Sequence, residues 1–250
     1  MIGLRTPARR TARDEAEKPF WISFSDLMTA LMVLFLVAMA VALIGVTQGI
    51  RKIEAQKQQR EDSIRSCVTD MAHITQQPAF RGVKVQGQTI EFGPLAEFRK
   101  GGNDLSSERQ HFLRSIVPHV LDVARQDSCR TWLKRVIVEG FASQEGSYLH
   151  NLNLSLERSQ RVLCVLLDPQ APDAPSLEDR KLIRQLFLVG GSSFNAAILD
   201  SPEKSRRVEL RLEFHELPAA CATGDAACQA RREPPPIPWD EESRCPVVTR

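Results

Sequence analysis

The sequence predicts a membrane-anchored α+β protein: a single N-terminal transmembrane helix, a helical stalk, an α/β sandwich of helices on a mixed sheet, and a proline-rich tail. Three observations predict it. Between Lys18 and Arg51 only Asp26 is charged, residues 51–77 contain neither glycine nor proline, and residues 79–216 alternate β-prone runs with amphipathic helical ones. A length of 250 residues allows one or two domains with a sizeable core. The 33 basic and 31 acidic residues leave a net charge of +2, which excludes a polybasic nucleic-acid binder and an acidic solvating tail.

The first element is the apolar run Leu27 to Val46, 20 residues in which Thr29 is the only clearly polar side chain. At 1.5 Å per residue it matches one bilayer crossing. A cleaved signal peptide is the competing reading, supported by Arg5, Arg9, Arg10 and Arg13 ahead of the run. The run exceeds the usual signal core of about 7–15 residues, and an aspartate stands at its entrance, so a retained anchor is expected. Arg51, Lys52, Lys57 and Arg60 follow and nearly balance the preceding basic residues, so charge alone leaves the orientation open.

Asp26 is the most informative residue. With a helix beginning near Pro19, a favourable first helical residue, it lies about 10 Å along the axis. An ionisable group at that depth is unfavourable unless it faces protein or water. Ser23, Asp26 and Thr29 recur every third residue, and Ala30, Val33, Val37 and Ala40 continue the same side. Such a small, partly polar stripe suits helix packing. Asp26 is then either an anion snorkelling to the headgroups at the helix N-terminus, or a carboxylate that binds and releases a cation against partner helices, supported by Ser23, Ser25 and Thr29.

Residues 51–77 read as a charged stalk helix with apolar positions at Ile53, Ile64, Val68, Met71 and Ile74, ended by Pro78. GVKVQGQTIEFG reads as a strand pair turning at Gln86 to Gln88. Ser106 or Ser107 caps a helix running to about Gln126. LKRVIVEG (133–140) is a strand, Ser155 to Leu167 a helix, Leu177 to Leu188 another helix, and RRVELRLEF (206–214) a closing strand with period-two alternation. From Pro218 onward alanine, proline and charge dominate, with PPPIP at 234–238, the composition of a tail.

These residues resemble a known arrangement. PFWISFSDLMTALMVLFL (19–36) resembles the single transmembrane helix of flagellar stator B subunits of the MotB type. VEGFASQEGSYLHNLNLSLERSQRVLCVLL (138–167) is similar to the OmpA-like peptidoglycan-binding signature, in which a strand ends in Gly-aromatic and a helix opens N-x-x-L-S-x-x-R; SRRVELRL (205–212) matches that family's final strand. Only about 36 residues separate Val46 from Val83. This short linker and the added tail look most like the B subunits of Zorya anti-phage defence systems, with an ordinary flagellar stator as the alternative.

The resemblance implies a cytoplasmic N-terminus (1–18), a transmembrane helix (19–46), a helical stalk (47–78), an OmpA-like periplasmic domain (79–216) and a tail (217–250) in the bacterial inner membrane. It implies a homodimer within a pentameric ring of polytopic A subunits, bound to peptidoglycan and driven by transported H⁺ or Na⁺, with no cofactor, covalent catalysis or nucleic-acid partner. Asp26 matches the ion-carrying aspartate. Asn151, Leu154, Ser155 and Arg158 match the wall-binding motif, with Arg206 or Arg207 in the final motif. The Arg158 fork suits bidentate capture of a peptide-stem carboxylate, and as an exposed helix residue it would contribute little to stability. At Ser143 the family carries an aspartate for a diaminopimelate ammonium; serine brings no charge, and Glu145 is the candidate substitute. A passive wall tether explains the Arg158 group but leaves Asp26 idle, and an energiser of the TolR type predicts a different periplasmic domain.

Six cysteines, Cys67, Cys129, Cys164, Cys221, Cys228 and Cys245, all follow the apolar run, as suits an oxidising compartment. Cys164, set among Leu163, Val165 and Leu166, is either a buried thiol or half of a bridge, and Cys221 and Cys228 are candidates to staple the tail. No metal-ligand spacing, nucleophile elbow or phosphate loop is present, and Gly101-Gly102 lacks the context of the last.

Overall fold

Helix α1 (Ala12–Ile74) opens the computed structural model, which describes residues 12–217 and 245–249. It begins upstream of the expected Pro19 start, because Glu15, Ala16, Glu17 and Lys18 are strong helix formers. The chain forms two units, Met1–Ala55 and Gln56–Arg250. In the first, Leu27, Leu31, Leu34, Phe35, Leu43 and Val46 are all more than half exposed. Among the described residues α1 is the one helix long and apolar enough to cross a membrane.

The second unit starts with the end of α1. Its final turns carry Cys67, Met71 and Ile74 into the core, with Ile64 and Val68 packed against it. The lower stalk is therefore a wall of the domain. Strands β1 (Lys84–Gln86) and β2 (Thr89–Glu91) pair across Gly87, whose φ of 56° is a left-handed conformation that glycine adopts without a Cβ clash. Helix α2 (Ser107–Arg125) is capped by Ser106, whose hydroxyl accepts from the Arg109 N–H, and buries Leu113, Ile116, Val117, Val120 and Leu121. A single turn, α3 (Asp127–Arg130), leads into β3 (Leu133–Gly140).

Helix α4 spans Tyr148–Leu167, seven residues longer at its start than the predicted Ser155 beginning, because Ser147 caps it by accepting from the His150 N–H. Helix α5 (Leu177–Leu186) stops short of the expected Leu188, and Phe187–Gly191 forms β4, a strand absent from the sequence reading. The short α6 (Pro202–Ser205) precedes β5 (Val208–Phe214). The sheet order is β1-β2-β5-β3-β4, with β3 and β4 parallel and every other pair antiparallel. Val136, Val138, Leu210 and Leu212 face the helices in a shared core. The opposite face carries an ion-pair ladder that includes Arg211 to Glu139 at 3.0 Å.

Two disulfides close the unit among the described residues. Cys67–Cys129 ties α1 to α3, and Cys164–Cys245 ties α4 to residues 245–249, so Cys164 is half of a bridge. Cys221, Cys228, the PPPIP run and Arg5, Arg9 and Arg10 lie outside the described residues.

Candidate functional site

In the first unit, Asp26 shares a shallow concavity on α1 with Thr29, Ala30, Val33, Leu34 and Val37. These are successive helical neighbours, so the small, partly polar stripe is a face of the helix. The Thr29 hydroxyl donates to the Asp26 backbone carbonyl at 2.9 Å, which satisfies the hydroxyl without engaging the carboxylate. Ser23 and Ser25 are exposed and do not line the concavity.

In the second unit, α4 lies directly on the ends of β3 and β4 because both end in glycine. A Cβ at Gly140 would stand 1.9 Å from the Ser155 carbonyl oxygen, and one at Gly191 would stand 2.7 Å from the Ser155 hydroxyl. That close approach organises the motif residues as framework. Asn151 donates to the Glu145 and Ser147 carbonyls at 2.8 and 3.2 Å. The Ser155 hydroxyl donates to the Leu152 carbonyl and accepts from the Ser193 N–H at 3.0 Å. Leu154 is buried. Ser193 has a φ of 51°, the single positive value for a non-glycine among the described residues, and sequence reasoning missed it.

Arg158 departs most from expectation. It is 0 % exposed, and its guanidinium donates to three backbone carbonyls: Nε to Gly102 at 3.0 Å, Nη1 to Phe141 at 2.7 Å and Nη2 to Arg99 at 3.1 Å. The Phe98 ring lies 5.2 Å beneath it. Burial, and secondarily the charge of Arg206, pushes its pKa down to about 10. The expectation of an exposed arginine with little structural role is thus corrected: three carbonyl acceptors converge on one internal point, and only a five-donor cation satisfies them together.

Beside this framework is a cleft of about 200 Å³ lined by Ser143, Gln144, Glu145, Ile198, Leu199 and Ser205, among others. Ser143 is nearly buried, with its hydroxyl 3.4 Å from the Glu145 carboxylate. Lys100 Nζ holds the same carboxylate at 2.8 Å. The hydrogen bond from Lys100 is the largest influence holding Glu145 below its usual range, with Arg206 adding to it. Arg206 donates to the Phe98 carbonyl at 3.1 Å. Arg207 is paired with Glu209 at 2.6 Å and lies 4.4 Å over the Phe141 ring. Of the predicted residues, then, Ser143 lines the cleft, Arg206 follows the lining residue Ser205, Asn151 holds the lining residue Glu145 by its carbonyl, and Leu154, Ser155 and Arg158 are buried in the framework behind it. Sequence reasoning missed Lys100 and the loop 197–199, which reach Glu145 or the cleft only through the fold, and Gln144, which stands between Ser143 and Glu145 in the chain.

Over 220 residues, 87 % of this chain and 89 % of the relative, the sequence is 42 % identical to the Zorya protein ZorB of Escherichia coli. No protein-family model matches. Among solved structures the chain is similar to a putative MotB like protein from Desulfovibrio vulgaris, with 17 % identity, 64 % of this chain and 99 % of that one covered, and a TM-score of 0.40. It is also similar to the OmpA-like domain of FopA1 from Francisella tularensis, with 18 % identity, coverages of 54 % and 82 %, and a TM-score of 0.36.

Proposed function

The chain belongs to the ZorB family of Zorya proteins, and from that premise we propose that it is the B subunit of an ion-driven rotary motor in the bacterial inner membrane, acting in anti-phage defence. Residues 19–46 cross the membrane with the N-terminus in the cytoplasm, 47–78 form the stalk, and 79–216 form a periplasmic domain bound to peptidoglycan, followed by the tail 217–250. Two copies stand within a pentameric ring of polytopic A subunits, and the ring turns as protons pass Asp26. The B subunit is the static, wall-anchored axle and performs no covalent chemistry.

The observation that carries this reading is Asp26, the one ionisable residue between Lys18 and Arg51, on a helix whose apolar side chains are uncovered. A carboxylate there favours a polar or hydrated partner surface, and its protonated form favours an apolar one. Protonation therefore changes which arrangement of the ring is lowest in free energy, and a ligand shifts an equilibrium only by such a difference. One charge crossing 100 mV supplies about 2.3 kcal/mol, enough to bias each step roughly fiftyfold. Peptidoglycan binds at the cleft of Ser143 and Glu145, with Arg206 beside it and Arg158 holding the framework behind it.

Asp26→Asn tests the proposal in cells challenged with phage. Asparagine is nearly isosteric but takes up no proton near neutral pH. Loss of protection with unchanged protein level and unchanged co-purification of the A subunit is the expected result, with partial protection from Asp26→Glu. Full protection by Asp26→Asn would remove ion-driven torque through this residue.

A further inference from the structure

Residues 245–249 lie against α4 and the loop 99–104, held in three ways. Cys245 is bonded to Cys164 on α4. Arg161, on the same helix, donates Nη2 to the Val247 carbonyl at 2.8 Å and to the Thr249 hydroxyl at 3.1 Å. Asn103, 0 % exposed, donates Nδ2 to the Val248 carbonyl and to the Glu157 carboxylate, each at 2.9 Å.

The loop that this segment touches braces the framework beside the cleft. Arg99 and Gly102 supply two of the three carbonyls that hold Arg158, and Lys100 holds Glu145. Carbonyl acceptors are placed by the backbone alone, so the position of the Arg158 guanidinium depends on what fixes the loop. Arg99, Lys100 and Gly101 are exposed, Gly101 has a φ of 68°, and Asn103 is the loop's buried side chain. A handful of hydrogen bonds does not outweigh the entropy lost in ordering five residues. The Cys164–Cys245 bond changes that balance by holding residue 245 against α4, which raises the effective concentration of the segment at its docking site.

We propose that residues 245–249 are a strap, tethered by Cys164–Cys245, that sets the position of the loop 99–104 through Asn103 and Arg161, so that peptidoglycan binding depends on the oxidised tether. Asn103 and Arg161 are positioning residues in this scheme, which rests on the wall-binding reading above.

The test is co-sedimentation of the full-length, detergent-solubilised chain with purified peptidoglycan sacculi, well below every variant's melting temperature. Cys245→Ser and Asn103→Ala are each expected to weaken binding about tenfold, and reductant is expected to weaken the wild type equally while leaving Cys245→Ser unchanged. A chain with both Cys67→Ser and Cys129→Ser loses a bridge spanning 62 residues, against 81 for the strap's. It should melt earlier yet bind sacculi normally and keep its response to reductant, which a merely stabilising role for the strap does not predict. Gln144→Trp, at an exposed position lining the cleft, blocks the site itself. Wild-type binding by Cys245→Ser, with binding abolished in Gln144→Trp, would overturn the strap and leave the wall site standing. Wild-type binding by Gln144→Trp would overturn the wall site and the strap's role with it.

Discussion

Arg158→Ala should destabilise the second unit substantially, contrary to what an exposed helix arginine would do. Three hydrogen bonds from a charged donor to the carbonyls of Gly102, Phe141 and Arg99 contribute about 1.5 to 2 kcal/mol each, or about 5 kcal/mol together. Against them stands the cost of burying a cation with no carboxylate partner, which the lowering of its pKa from the ordinary arginine value to about 10 converts to roughly 3 kcal/mol. The balance favours the arginine by about 2 kcal/mol, and the space left by a buried side chain adds about 1 more. A loss of about 3 kcal/mol lowers the melting temperature of a domain of this size by roughly 6 to 12 °C. Tryptophan fluorescence of the solubilised chain, to which the buried Trp132 contributes, follows the transition. Arg158→Lys keeps the charge but its single ammonium cannot reach all three acceptors, so it should fall between alanine and wild type. Melting of Arg158→Ala within a degree of the wild type would refute the clamp and restore the exposed arginine.

Gly140→Ala places a methyl 1.9 Å from a backbone oxygen of α4, where no side chain can swing away, so α4 must lift from the sheet. A loss of about 3 kcal/mol or more is expected in urea unfolding, and an unchanged midpoint would contradict the close approach. Asp173 is pushed up by burial, but hydrogen bonds from His111 and Arg114 outweigh that and hold its carboxyl below the usual range. A depressed folded value means stability that is full above the unfolded value near 3.8 and lost as pH falls through the folded one. Asp173→Asn should therefore melt below wild type at pH 7, and the gap should narrow below about pH 3.8; a gap independent of pH would show that the carboxylate's charge does not matter.

Much of this protein is legible along the chain itself, wherever neighbours in sequence decide the outcome. An apolar run with one aspartate, a serine cap at Ser106, a glycine turn at Gly87 and the alternating pattern of β5 each act over a few residues. Local propensity and capping are enough there. Even the length of α4 is available locally, since Ser147 is a cap like Ser106. Tertiary structure alone decided the rest. Phe187–Gly191 is a strand because β3 offers a parallel edge, and a short apolar run that continues the pattern of α5 and ends in two glycines does not by itself tell strand from helix. The pairing of Cys67 with Cys129 and of Cys164 with Cys245 joins positions 62 and 81 residues apart. The burial of Arg158 was least legible. A helical arginine in N-x-x-L-S-x-x-R looks free to meet a ligand, and what captures it is a set of carbonyls, two of them more than 50 residues away in sequence. Backbone acceptors have no residue identity to read, so their convergence on one guanidinium exists only once the chain has folded.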